Sequence, residues 1–160
     1  MRACTIRNFS HNLNAVESTL ALIKPDLLAD PQQVKTVENE IQQRFKVSQR
    51  KQVFWKTEEA QNFYQEHQGK LFFNRLIGYM TSGPLIALAL TGPHVISEWR
   101  LLMGQTRPPQ MRVLKPETLR ARFGLTDTRN SFHGSDSVAS ARRELAFFFG
   151  PDSYDRFLRV

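Results

Sequence analysis

Leu125–Phe148 reads LTDTRNSFHGSDSVASARRELAFF, and the fold turns on how this stretch is taken. Leu125 to Asn130 leads up to a single imidazole, His133, and Ser137 to Phe148 carries the spacing of a sizeable helix. A short strand before His133 adds a last β–α unit to the chain. Gly134 lets backbone approach closely, and Ser135 and Asp136 can hydrogen-bond the ring or cap the following helix. A histidine in such company is placed for chemistry rather than for packing.

Working outward from it, Ser18–Ile23 is apolar-rich and reads as a buried strand ended by Lys24-Pro25-Asp26. Asp30 and Pro31 open a helix running to about Phe45, with Val34, Val37, Ile41 and Phe45 on one face. Lys46–Lys56 is a second strand, and Thr57 caps a helix to about His67 that carries Tyr64. Leu71–Met80 is helical; its periodicity alone makes Phe72 and Leu76 core residues. Ser82-Gly83-Pro84 turns into a central strand, Leu85–Leu90, and His94–Met103 returns as a helix bearing Arg100. Gln105–Glu117, with Pro108, Pro109 and Pro116, is expected to be a loop, followed by a short helical turn at Leu119–Phe123. Strands separated by helices predict an α+β protein of the ferredoxin-like class, an antiparallel sheet with helices on one face.

The chain of 160 residues suffices for one domain with a real core. We expect an N-terminal extension over residues 1–17, a main domain over 18–150 and a C-terminal tail over 151–160. No apolar run reaches the ~20 residues that a membrane-spanning helix needs. Cys4 is the only cysteine, which excludes an intramolecular disulfide and a cysteine-built zinc site. The net charge of +7 favours polyanionic partners, but dispersed arginines and the lack of any recognised motif argue against specific nucleic-acid binding. Arg2 and Arg7 in a start without acids before Glu17 are what a mitochondrial presequence looks like; a cytoplasmic protein is the alternative.

NSFHGSDSVASARRE resembles the active-site signature of the nucleoside diphosphate kinases, N-x-x-H-G-S-D-S with a Glu eleven residues after the His. IKPD at Ile23–Asp26, FF-x-x-L-x-x-YM-x-SGP at Phe72–Pro84, WRLLMGQTRP at Trp99–Pro108 and KPETLRARFG at Lys115–Gly124 fit the same family in order. The resemblance implies a βαββαβ fold and ping-pong transfer of a γ-phosphate between nucleoside tri- and diphosphates through a phosphohistidine on His133. It implies that Glu144, Tyr64 and Ser135 support the histidine. Arg100, Thr106 and Arg120 would hold phosphates, Lys24 and Asn130 sugar and phosphate, and Phe72 the base. Mg²⁺ would arrive with the nucleotide, and no protein metal cage is expected. The residues themselves are compatible: the chain lacks both common glycine-rich phosphate cradles, leaving separated cations to converge on His133 by folding.

Two departures stand out. The segment between Thr106 and Arg120 is longer than the common pattern, with PQMRVL at Pro109–Leu114 filling the gap. This resembles the divergent type-six branch, whose members are associated with mitochondria. Because that loop serves subunit contacts in the family, its lengthening argues against a hexamer, leaves a homo-oligomer open, and offers a surface for a protein partner. Asp127 falls where an apolar residue commonly lines the base pocket. Together they motivate the alternative of a weakly active, partner-binding regulatory member.

Overall fold

The computed structural model describes residues 16–159; the expected N-terminal extension lies outside them up to Ala15. The chain begins with β1 (Val16–Ile23), a short α1 (Pro25–Leu28), α2 (Pro31–Arg44) and β2 (Lys46–Val53). Next come α3 (Thr57–Phe63), a single 3-10 turn (Gln65–His67), α4 (Phe73–Met80) and β3 (Leu85–Pro93). The second half holds α5 (Val95–Met103), α6 (Pro108–Leu114), α7 (Leu119–Phe123), β4 (Phe132–Gly134), α8 (Val138–Phe149) and α9 (Ser153–Leu158). The sheet order is β2-β3-β1-β4 with every neighbouring pair antiparallel, the ferredoxin-like arrangement.

Helices cover both faces of this sheet, not one. Along β1, Leu20 and Leu22 pack with Trp55, Phe63, Ala141 and Leu145, whereas Ala21 and Ile23 pack with Val37, Ile41, Val95 and Trp99. Strand β3 alternates likewise, and all of Leu85–Leu90 are at most 2% exposed. A strand buried on both sides is apolar at every position, so its sequence carries no alternation to count faces by.

Local chemistry explains the element ends. Asp30 accepts the N–H groups of Gln32 and Gln33, capping α2 as expected. The cap of α3 falls one residue earlier than expected: Lys56 is the capping residue, and the Glu59 carboxylate accepts its backbone N–H at 2.8 Å. The proline-rich loop contains a helix, α6, because Pro108 and Pro109 occupy its first positions, where no backbone N–H is needed. The tail also folds: α9 buries Tyr154 and Phe157 in the cluster that holds Leu20 and Leu145.

Candidate active site

Strand β4 carries His133 itself, paired opposite Leu22 of β1. The two-residue period of a strand sends Phe132 to the face of Trp99 and puts the His133 ring against Phe63 and Tyr64, at 5.4 and 6.1 Å between ring centres. Gly134 permits this placement: a Cβ there would lie 2.5 Å from the Trp99 ring. The close approach lets Trp99 Nε1 donate to the His133 carbonyl at 3.1 Å, fixing the backbone beneath the imidazole.

Glu144, one of the buried residues of α8, reaches back to the ring. His133 Nε2 lies 2.9 Å from Glu144 Oε2, and Ser135 Oγ donates to the same oxygen at 2.8 Å. Burial works against the Glu144 charge, but His133, Ser135 and Arg143 outweigh it and hold the carboxyl below its ordinary range. A carboxylate facing Nε2 fixes the proton on that nitrogen, so the ring's basic lone pair is on Nδ1.

A cavity of about 560 Å³ opens beside the imidazole, lined in part by Arg100, Thr106, Arg120, His133 and Glu144. Five residues separated in sequence thus meet on one wall. Arg120 is almost wholly buried, donating to Gly104 O at 2.6 Å and Phe132 O at 2.9 Å. Burial, and then neighbouring Arg100, lower its pKa to about 10. Arg120 Nε and the Tyr64 hydroxyl are buried without a hydrogen-bond partner among the described residues. Burial, with Glu144 next, pushes the Tyr64 hydroxyl far up, so it stays a donor.

The remaining expected residues stand off this wall. Lys24 and Asn130 are buried, joined by a 2.9 Å hydrogen bond from Lys24 Nζ to Asn130 Oδ1. Phe72 is 38% exposed and its ring meets the edge of His67, which does line the cavity. Leu76 alone of that pair is a core residue, correcting the periodicity reading for Phe72. Asp127 is exposed; its carbonyl accepts Asn130 Nδ2 at 2.8 Å.

Sequence reasoning missed His67, Met111, Leu114 and Lys115, all on the cavity wall. Three of them belong to the lengthened segment, which folds as α6 and closes one side. Its spacing held the signal: residues 111, 114 and 115 share one helical face once Pro108-Pro109 is read as a helix start. Arg112 fixes that helix, donating to Ala121 O at 3.2 Å and Gly124 O at 2.5 Å. Among the described residues, no group of three or more His, Cys, Asp or Glu is placed to hold a metal ion. No helix of the described residues is long and apolar enough to cross a membrane.

A ferredoxin-like sheet that seats a carboxylate-braced histidine on the wall of an arginine-bearing cavity defines the class: an α+β protein built around a histidine-centred pocket. The chain belongs to the nucleoside diphosphate kinase family, whose model matches residues 17–154. It is 42% identical over 146 residues to nucleoside diphosphate kinase 6 of Danio rerio, covering 91% of this chain and 83% of that one. The human protein of that name is 45% identical over 144 residues, covering 89% and 77%. A crystal structure of the Aquifex aeolicus nucleoside diphosphate kinase superposes with a TM-score of 0.79 at 36% identity, covering 84% of this chain and 96% of that one.

Proposed function

We propose that this protein is a phosphotransferase that moves the γ-phosphate of a nucleoside triphosphate to a nucleoside diphosphate, with His133 carrying the group between two half-reactions. The observation that supports it best is the hydrogen bond between His133 Nε2 and Glu144, which leaves Nδ1 as the nucleophile. In the first half-reaction the Nδ1 lone pair attacks the γ-phosphorus, the bond to the bridging oxygen breaks, and the diphosphate leaves. An acceptor diphosphate then attacks the phosphohistidine and restores the free ring. Glu144 stabilises the positive charge that the ring acquires, while Arg100, Thr106 and Arg120 compensate the phosphate charge. The unpartnered Tyr64 hydroxyl supplies a further donor beside the ring. Mg²⁺ would enter as part of the nucleotide complex, into a cavity lined by Arg100, Lys115 and Arg120 together with the acids Glu66, Asp136 and Glu144.

Steady-state exchange from ATP to GDP tests this reading. Parallel double-reciprocal lines, lost in His133→Ala, support it; intersecting lines, or exchange retained in that variant, would overturn it. A second reading, a regulatory member that binds a protein partner, draws on Val113 of α6, which is 82% exposed. Val113→Asp would then abolish partner capture and leave exchange intact. The Arg-bearing, acid-free start supports a mitochondrial address, which a reporter fused to residues 1–17 would test.

A further inference from the structure

Asp26, at the first turn after β1, takes no part in the chemistry above, yet both of its carboxylate oxygens are engaged. Tyr79 Oη donates to Oδ1 at 2.5 Å, and Ser131 Oγ donates to Oδ2 at 2.7 Å. Ser131 stands at φ +66°, a left-handed conformation that a residue other than glycine or asparagine adopts at a cost. The Phe132 N–H donates to Asn130 O at 2.9 Å, closing a three-residue turn around Ser131. That turn is stitched to the end of β1 twice more. The Lys24 N–H donates to Ser131 O at 2.9 Å, and Lys24 Nζ donates to Asn130 Oδ1 at 2.9 Å. Phe132, the last residue of the turn, is followed directly by His133.

We infer that Asp26 is a positioning residue. Its carboxylate, gripped between Tyr79 of α4 and Ser131, holds the turn at Asn130–Phe132 in its strained form and keeps Lys24, Asn130 and His133 in register with one another. Its side chain joins three separate parts of the chain, the turn after β1, α4 and the turn before β4. A shift of that turn displaces the nucleophile, and a misplacement of about 1 Å costs on the order of 100-fold in rate.

The same carboxylate acts on the charge of Lys24. Burial, and then Arg120 of α7, lower the Lys24 pKa to about 7, and Asp26 opposes them. Tyr79 of α4 presents its ring 5.7 Å from Nζ, and the Asn130 amide is neutral. Of the groups packed around the ammonium, Asp26 therefore supplies the compensating negative charge. Without it, Lys24 loses its proton at a lower pH.

Only the activity readout rests on the phosphotransfer reading; the Lys24 titration does not. Asp26→Ala removes both grips and should slow phosphoryl uptake by His133 about 100-fold. Asp26→Asn can keep both contacts, because Ser131 Oγ can turn its proton to Phe123 O, 3.2 Å away, and accept from the amide. It lacks only the charge. It should recover uptake near pH 6 and lose it at a lower pH than the parent protein. Side-chain NMR of Lys24 should show the titration midpoint falling by about one unit in Asp26→Asn. Uptake within twofold of the parent in both variants, with an unmoved Lys24 midpoint, would overturn the inference while leaving the proposed function standing. A parent protein that takes up no phosphate, but whose Lys24 midpoint falls in Asp26→Asn, would remove the proposed function and keep Asp26 as the residue that sets Lys24. If Asp26→Ala lowers the thermal transition, Asp26→Asn and the Lys24 titration decide.

Discussion

Glu144 Oε2 sits 2.9 Å from His133 Nε2 and takes a second hydrogen bond from Ser135 Oγ at 2.8 Å. One carboxylate oxygen thereby sets the tautomer of the imidazole and is itself held by Ser135, the residue after the strand that carries His133. Replacing Glu144 by Gln keeps an acceptor but removes the charge that stabilises a phosphorylated ring. The expected loss in kcat is roughly 100-fold with a smaller change in KM. Equal loss of kcat and gain in KM in steady-state exchange would contradict this role.

The depressed Glu144 pKa also makes a statement about stability. A carboxyl held below its ordinary value of 4.5 contributes stability that is fully present above that value and is lost as pH falls through the lowered one. Thermal unfolding of the parent and of Glu144→Gln should therefore differ at pH 7 and converge in acid. A gap that persists unchanged to pH 2 would show that the carboxylate charge is not what stabilises the fold.

Lys24 shares that pH slope, but here the fold disfavours the charged form instead of favouring it. Its pKa, about 7 in the folded chain, lies below the ordinary 10.5, so the unfolded chain binds more protons between these values. Stability gains from this group as pH rises through that window, while the ammonium charge is lost. Lys24→Met should raise stability at pH 7 by roughly 1–3 kcal/mol, from relief of a buried charge, and reduce exchange sharply. Denaturant unfolding at pH 7 checks the first part, and a destabilised variant would contradict it.

Arg112 ties α6 to the end of α7 and so holds Met111, Leu114 and Lys115 on the cavity wall. Arg112→Ala removes two partly buried, charge-assisted hydrogen bonds, about 1 kcal/mol of local order. The nucleotide KM should rise roughly five- to tenfold with kcat little changed. An unchanged KM would mean that this helix does not shape the nucleotide site.

Much of this was legible in the sequence because the chemistry is concentrated. The block around His133 set the histidine, a candidate carboxylate and a hydroxyl in one short stretch, and the structure brings all three within hydrogen-bonding reach. What stayed hidden depended on side chains meeting across the sheet. Leu20–Ile23 of β1 and Leu85–Leu90 of β3 are apolar at every position, so nothing in those runs told that both faces of the sheet are covered. The helix in the proline-rich segment was masked by Pro108 and Pro109, which start a helix here as readily as they end one elsewhere. Phe72 carried helical spacing yet stands exposed, because it precedes the first full turn of α4. The Asp26–Ser131 contact joins residues 105 positions apart, and no local pattern announces it.

The proposed function depends on one step, phosphorylation of His133 and onward transfer of the group. The purified protein, incubated with γ-labelled ATP and Mg²⁺, should take up acid-labile, alkali-stable label. That label should be absent from His133→Ala and be discharged as labelled GTP when GDP is added. Folded protein that binds nucleotide but takes up no label, or label that survives in His133→Ala, would contradict the account.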